Sequence, residues 1–163
     1  MVTWKEFATA QYDLADVGRA LLFQFKVGLA FLATVRKDGG PRLHPVCPVL
    51  SNDRLFVLIV STSPKRHDLL RDGRYALQAF PQPKPGSDEF YIAGKAVAVD
   101  DPVVRAEILR DAKHMADESE IAFELWIDHV MHTRWENVLT PQCARCTESG
   151  AQRRLPNHTL LAV

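Results

Sequence analysis

The feature that most constrains this fold is a series of short segments with strand character, separated by turns. Each segment is rich in β-branched, aromatic or other apolar residues, and Gly, Pro, Asn or Asp residues lie at its ends. Short connections between consecutive strands produce antiparallel pairs, and such a sheet must close or be covered to bury its apolar face. We therefore expect an α+β protein, mainly antiparallel β, built as a six-stranded barrel with peripheral helices. The six segments are residues 27–35, 42–50, 55–60, 74–80, 89–100 and 122–135.

Helical patterns occupy the start of the chain and two places between the strands. Thr3 and Glu6 have the spacing of a capping box, and the apolar residues that follow predict one or two helices within residues 3–25. A short helix is expected over residues 65–72, and a longer one after Asp101 and Pro102. We interpret residues 1–163 as one domain, with an N-terminal helical segment, 1–26, and a C-terminal tail or arm, 137–163.

Two details of the strands are also predicted. Gly94, in the middle of segment 89–100, indicates a β-bulge or a close approach of another backbone. In segment 42–50, two prolines indicate an edge or bulged strand, because proline cannot donate to the ladder. The candidate inward positions of that segment are Leu43, Pro45 or Val46, and Val49.

The composition excludes several classes of function. Twenty basic and twenty acidic side chains cancel, so the chain has no overall field to attract nucleic acid or an anionic membrane. No apolar run approaches the roughly 20 residues that span a bilayer, and the first residues lack the order of a signal peptide. Three cysteines in 163 residues do not form a disulfide framework, so we expect a cytoplasmic protein.

Common catalytic and metal-binding motifs do not occur in the chain. There is no G-x-G-x-x-G after a strand, no P-loop and no G-x-S-x-G. Cys143 and Cys146 form a C-x-x-C pair, which is consistent with half of a zinc site, a redox pair or two cysteines in a loose tail. His129 and His132, three apart in a strand, would point to opposite faces and could not share a metal. We predict no metal site.

One stretch, STSPKRH, places hydroxyls and cations directly after the apolar segment 55–60. Ser61, Ser63, Lys65 and Arg66 supply the groups that hold a phosphate, and the expected helix would direct its N-terminus at the same place. Arg42, on the neighbouring strand, could reach it. The residues are equally consistent with an ordinary solvated loop.

Three segments taken together resemble the pyridoxamine-5′-phosphate oxidase-like superfamily, which binds flavin mononucleotide (FMN). They are LATVRKDGGPRLHPV, LFVLIVSTSPKRHDLLRDGRYALQAF and EFYIAGKAVAV, within residues 27–100, and segment 122–135 continues the resemblance. The resemblance implies a split β-barrel homodimer with FMN at the subunit interface.

The resemblance also implies a set of cofactor-binding positions. One strand would run along the flavin and its phosphate, a second strand end would lie beside the ring, and a Ser-x-Lys clamp would hold the phosphate. Pro64 departs from the basic residue often found inside that clamp, and Glu89 replaces a glutamine that the partner subunit offers in the oxidases. The positions are Arg42, Leu43, His44, Pro45 and Val46; Ile59 and Val60; Ser63 and Lys65, with Ser61 and Arg66 as helpers; and Glu89.

The end of the chain, RRLPNHTLLAV, lacks the segment with which the oxidases bind pyridoxal phosphate, which argues against vitamin B6 oxidation. The leading hypothesis is an FMN-binding oxidoreductase acting on an unknown small molecule. Alternatives are a non-catalytic flavin or haem carrier and a reductase that uses a deazaflavin cofactor. His44 is a weak candidate for a haem ligand, and no catalytic residue is identified.

Overall fold

The computed structural model describes residues 1–82, 88–113, 119–134 and the backbone of 149–154. The segment before the first strand contains two helices, and two more lie between strands. Thr3 caps the first helix reciprocally with Glu6: Glu6 N–H donates to Thr3 Oγ1 at 3.3 Å, and Thr3 N–H donates to Glu6 Oε2 at 2.7 Å. The helices are α1 (Trp4–Ala10), α2 (Tyr12–Leu22), α3 (Pro64–Arg71) and α4 (Pro102–Asp111).

The strands form one antiparallel sheet in the order β2-β1-β5-β6-β7-β4-β3, and β8 pairs with β7. The two strands that end this order, β2 and β3, are separated along the chain by Cys47 alone. Because consecutive Cα atoms are about 3.8 Å apart, the sheet must curl until its two edges meet at that residue. The strands are β1 (Ala30–Val35), β2 (Pro41–Val46), β3 (Pro48–Ser51), β4 (Arg54–Ile59), β5 (Arg74–Ala79), β6 (Glu89–Ala98), β7 (Ile121–Arg134) and β8 (Ser149–Arg154).

This arrangement confirms the expected class, a mainly antiparallel α+β fold with a curled sheet, but the count of six strands was wrong. Segment 42–50 is divided at Cys47 into parts of β2 and β3, which lie at opposite edges of the sheet. A further strand, β8, lies within the predicted C-terminal tail or arm. Cys143 and Cys146 fall outside the described residues.

Two predicted details of the strands have different outcomes. The β6–β7 register shifts between Ala93 and Gly94, and a Cβ on Gly94 would lie 2.0 Å from the Trp126 carbonyl oxygen, which confirms the bulge and the close approach. The inward assignment of Leu43 was wrong, since 63% of this residue is exposed, and Pro45 is exposed as well. Val46 and Val49 are buried, as predicted.

The main core lies inside the curled sheet, and α1 and α2 cover its open side. The Trp4 and Phe90 rings meet edge-on with centroids 6.3 Å apart, and Gly18 of α2 lies so close that a Cβ there would be 2.3 Å from the Phe90 ring. A second, smaller cluster packs α4 through Ile108 against Phe56 of β4 and Val49 of β3. This packing holds the end of α4 beside the point where the two sheet edges meet. In the described part of the chain, no helix is both long and apolar enough to cross a membrane.

Candidate cofactor site

The stretch STSPKRH forms the exit of β4 and the start of α3. β4 ends at Ile59, and a turn follows in which Ser63 N–H donates to the Val60 carbonyl at 3.0 Å. Ser63 is the extended N-cap residue of α3, and Pro64 occupies the first turn, where its missing N–H costs no helical hydrogen bond. Within the described residues, the Ser63 hydroxyl caps no N–H of α3, and the Arg66 N–H donates instead to the Ser63 carbonyl at 3.0 Å.

One cavity, the Lys65 cavity, opens beside this turn and has a volume of about 200 Å³. Burial lowers the pKa of Lys65, and the charge of Glu120 opposes that effect. The walls come from the ends of β2 and β4, the start of β3 and the region after α4. The lining residues are Pro45, Val46, Cys47, Val49, Leu58, Ile59, Val60, Lys65, Ala112 and Glu120.

A second cavity, the arginine cavity, lies on a different face of α3 and has a volume of about 480 Å³. It is enclosed by the turn that joins β1 to β2 and by the side of α3 that faces this turn. Basic side chains dominate its wall. The lining residues are Arg36, Lys37, Asp38, Arg42, Pro64, His67, Asp68 and Arg71.

The buried carboxylate of Asp68 organises the arginine cavity. Only 4% of Asp68 is exposed, and it accepts hydrogen bonds from Thr34 Oγ1 at 3.0 Å, Arg42 Nε at 2.7 Å and Arg71 Nη1 at 3.3 Å. Burial by itself would raise the pKa of Asp68, but these donors outweigh it and lower the pKa. A single carboxylate therefore connects β1, β2 and α3 and fixes the Arg42 guanidinium.

The structure brings some of the predicted cofactor residues together and separates others. Pro45, Val46, Ile59, Val60 and Lys65 line the Lys65 cavity, whereas Arg42 lines the arginine cavity. Arg42 and Lys65 therefore do not converge on one cavity in this chain. The predicted residues outside the lining of both cavities are Leu43, His44, Ser61, Ser63, Arg66 and Glu89.

These outlying residues have distinct places. His44 is half-buried on the face of β2 that also carries Arg42, opposite Leu32 of β1. Arg66 Nη1 donates to the Ser61 carbonyl at 3.3 Å, and Arg66 Nε is buried with no hydrogen-bond partner among the described residues. Glu89 begins β6 and pairs with Thr133 of β7; β1 and β5 separate β6 from β2 in the sheet, and β7 separates it from β4.

Several lining residues were missed at the sequence level. Ala112 reaches the Lys65 cavity because α4 packs on β3 and β4, and Glu120 reaches it because the next residue, Ile121 of β7, pairs with Ile59 of β4. No local pattern shows these contacts. For the arginine cavity, the sequence did contain a pattern that groups four of the lining residues. Pro64, His67, Asp68 and Arg71 follow the i, i+3, i+4, i+7 spacing of one helix face, which excludes Lys65.

The comparisons with known proteins concern the fold. No family model matches the chain, and no curated protein sequence matches it. A heme binding protein from Mycobacterium smegmatis aligns with a TM-score of 0.57 and 16% identity over 80% of this chain. The alignment covers 55% of that protein, so this chain spans about half of its length.

Two other solved structures align over most of both chains. A candidate pyridoxamine 5′-phosphate oxidase from Listeria innocua gives a TM-score of 0.58 and 18% identity over 71% of this chain and 94% of that one. PhzG from Burkholderia lata 383 aligns with a TM-score of 0.59 and 14% identity over 90% of this chain and 87% of that one. At these identities the likeness concerns the fold. The curled sheet whose edges meet at Cys47 has the split-barrel fold of these solved structures.

Proposed function

We propose that this protein is an FMN-binding oxidoreductase that acts on a small molecule. The observation that carries the proposal is the Lys65 cavity, where ends of β2 and β4 and the first turn of α3 meet. Lys65 is half-buried there, and burial lowers its pKa, so an incoming phosphate would replace water around a cation that is already poorly solvated. A flavin bound there would supply the hydride or electron transfer.

The residues present fit the phosphate end of such a cofactor better than its ring. Ligand pockets are usually about 300–1,000 Å³, and the Lys65 cavity of about 200 Å³ falls below that range. Pro45, Val46, Ile59 and Val60 offer apolar surface beside it, so the ring would rest on that surface with one side open. A covering element is required for the ring, and we propose a second copy of the chain.

The outer face of β1 and β2 suits such a pairing. Phe31 and Ala33 of β1 lie opposite Pro45 and Leu43 of β2, and Phe31 stacks on Phe80 with ring centroids 4.2 Å apart. Leu43 is 63% exposed on this apolar face. A homodimer formed through it would cover the Leu43 side chain and give Glu89 of the other copy a route to the cofactor.

Cofactor identity is tested by the absorption spectrum of the purified protein, followed by titration of the apoprotein with FMN and riboflavin. We expect flavin bands and tighter binding of FMN, because only FMN carries a phosphate for Lys65. Equal affinities would remove the phosphate-binding role. A protein that no flavin reconstitutes would remove the proposal.

Reduction of the flavoprotein by a nicotinamide or deazaflavin donor, followed by turnover with quinones, nitro compounds or oxygen, distinguishes an enzyme from a carrier.

Haem binding is the second candidate. It is favoured by the similarity to the heme binding protein from Mycobacterium smegmatis and by His44, which is half-buried on the inner face of β2. A Soret band that is lost in His44→Ala would select haem over flavin. A deazaflavin cofactor would instead bind without the spectrum of an oxidised flavin and would be reduced by its own donor enzyme.

The dimer is tested with Leu43→Glu, matched to Val103→Glu, which changes another exposed apolar residue on α4 (67% exposed). We expect Leu43→Glu to shift sedimentation toward the monomer and to weaken FMN binding, since a charge would be buried at the interface. Val103→Glu should leave both unchanged. A wild-type monomer that holds FMN at micromolar concentration would contradict the dimer.

A further inference from the structure

We propose a second small-molecule site, which takes an organic anion with an apolar body. It is a cavity of about 470 Å³ between the end of α2, β3 and the end of α4, and we call it the α2–α4 cavity. Its volume is within the usual range for ligand pockets of about 300–1,000 Å³. The cavity exists in a single chain, so the inference does not depend on whether a flavin binds.

The wall of this cavity combines apolar surface with converging cations. Phe23 and Leu50 contribute apolar groups from the end of α2 and from β3. Arg19, Lys26 and Lys113 contribute positive charge, and they come from α2, from the loop after α2 and from the residues after α4. This is the combination that binds an aromatic or alkyl carboxylate: the apolar body displaces water, and the cations meet the carboxylate.

Among the described residues, the acidic groups near this cavity already have partners. Asp111 also lines the cavity, but its Oδ2 accepts from Ser51 Oγ at 2.6 Å and its Oδ1 lies 3.6 Å from Arg110 Nε. Asp53 lies 3.9 Å from Arg19 Nη2, outside the lining. Three cations and one carboxylate are among the described residues that line the cavity, so this part of its wall carries an excess of positive charge within a chain that is neutral overall.

The backbone conformation at the two lysines is unfavourable for any residue with a side chain, which indicates that the lysine side chains themselves have a role. Lys26 and Lys113 have left-handed backbone conformations, with φ of 65° and 51°. Lys113 directly follows the C-cap of α4, and Lys26 lies three residues after the C-cap of α2. Glycine adopts this conformation at little cost, whereas a lysine there is strained. A cation near a helix C-terminus also interacts favourably with the helix dipole, which is the rival explanation for both lysines.

The two explanations are separated by Lys26→Gly, Lys113→Gly and the double variant. Glycine relieves the backbone strain, so these variants should fold, while the charge is removed. The matched control is Lys5→Gln, an exposed lysine of α1 outside the cavity. The probes are 2-naphthoate and its neutral amide, 2-naphthamide, titrated into the full chain by calorimetry with and without saturating FMN.

We expect 2-naphthoate to bind at millimolar or lower concentration and 2-naphthamide to bind more weakly. Each lysine-to-glycine change should weaken 2-naphthoate about two- to fivefold, the range for solvent-accessible ion pairs, and the double variant about tenfold. Lys5→Gln should bind 2-naphthoate as the wild type does, and added salt should weaken the binding of 2-naphthoate more than that of 2-naphthamide. FMN should leave 2-naphthoate binding unchanged.

Four results would overturn the proposal. The first is absence of 2-naphthoate binding at millimolar concentration, and the second is equal binding of acid and amide. The third is unchanged 2-naphthoate affinity in the glycine variants together with a lower unfolding temperature, which would assign the lysines to the helix dipoles alone. Competition between FMN and 2-naphthoate would place the probe in the Lys65 cavity and would also count against the proposal.

Discussion

The two cavities beside α3 hold their cations in different ways. In the arginine cavity, Arg42 and Arg71 are bound to the carboxylate of Asp68, which is only 4% exposed. In the Lys65 cavity, the lysine is half-buried among apolar walls, and burial lowers its pKa. Arg42 is thus part of a hydrogen-bond network that joins three elements of the fold. Lys65 is partly removed from water, and the charge of Glu120 offsets the effect on its pKa only in part.

This difference distinguishes charged side chains that stabilise the fold from a charged side chain that is available to bind a ligand. The members of the Asp68 network contribute unequally: removal of the buried carboxylate leaves Arg42 without its ion-pair partner, whereas removal of one donor leaves Asp68 with the other two. A cation that is desolvated without a matching network gains most from an external anion. The arginine cavity should therefore respond to mutation mainly through stability, and the Lys65 cavity mainly through binding.

The largest expected effect is on folding, from Asp68→Ala. Removing a buried carboxylate and leaving Arg42 without its partner should lower the free energy of unfolding by about 3–5 kcal/mol, measured by denaturant titration. Asp72→Ala, which removes a pair whose Arg74 side chain is 70% exposed, should change it by much less. A similar small change in both variants would refute the structural role of the Asp68 network.

The same network predicts an acid dependence of stability. Because the folded-state pKa of Asp68 is lowered, its contribution is complete above the unfolded pKa of about 3.9 and is lost as the pH falls through the folded value. The difference in stability between wild type and Asp68→Ala should therefore shrink below about pH 4. A difference that stays constant into strong acid would contradict this.

The next effect is on binding, from Lys65→Ala. If Lys65 holds the FMN phosphate, this change should weaken FMN by about 1.5–3 kcal/mol, or one to two decades in dissociation constant, without changing riboflavin affinity or unfolding. The matched variant is Lys37→Ala in the arginine cavity. Weaker FMN binding in Lys37→Ala but not in Lys65→Ala would indicate that the phosphate binds in the arginine cavity. Equal losses of FMN and riboflavin at Lys65 would mean that Lys65 shapes the site.

The lowered pKa of Lys65 sharpens that experiment. Phosphate binds the protonated amine, so FMN affinity should fall as the pH rises toward this lowered pKa, at lower pH than for an ordinary lysine. Lys65→Ala should remove this part of the pH dependence. Fluorescence titrations of both proteins across the alkaline range provide the test, and parallel profiles would exclude Lys65 as the titrating group.

The smallest expected effect comes from Arg71→Ala. The Arg71 side chain is 38% exposed and contacts Asp68 at 3.3 Å, so its ion pair is partly screened by water. We expect a loss of about 0.2–1 kcal/mol in the free energy of unfolding, well below that of Asp68→Ala. A loss as large as the Asp68 effect would show that the network has no weak member.

The sequence by itself determined the local elements and their order. Turn residues and apolar runs located the strands apart from β8 and the division between β2 and β3, Thr3 and Glu6 located the start of α1, and Gly94 located the bulge. It also placed Lys65 at the start of a helix that directly follows a strand. These features depend on neighbours in the chain and on steric rules that act over a few residues.

Only the tertiary structure decided which of these residues share a cavity. Period-two alternation puts Arg42 and Leu43 on opposite faces of β2, but which face is inward depends on β1 and α3 packing against it. The rotation of α3 about its axis likewise turns Asp68 toward Arg42 and leaves Lys65 on another face. Ala112 joins Lys65 because α4 packs on β3 and β4, and Glu120 joins it because β7 pairs with β4. Such contacts between distant segments arise from burial of apolar surface, which is non-directional and has no signature in the local sequence.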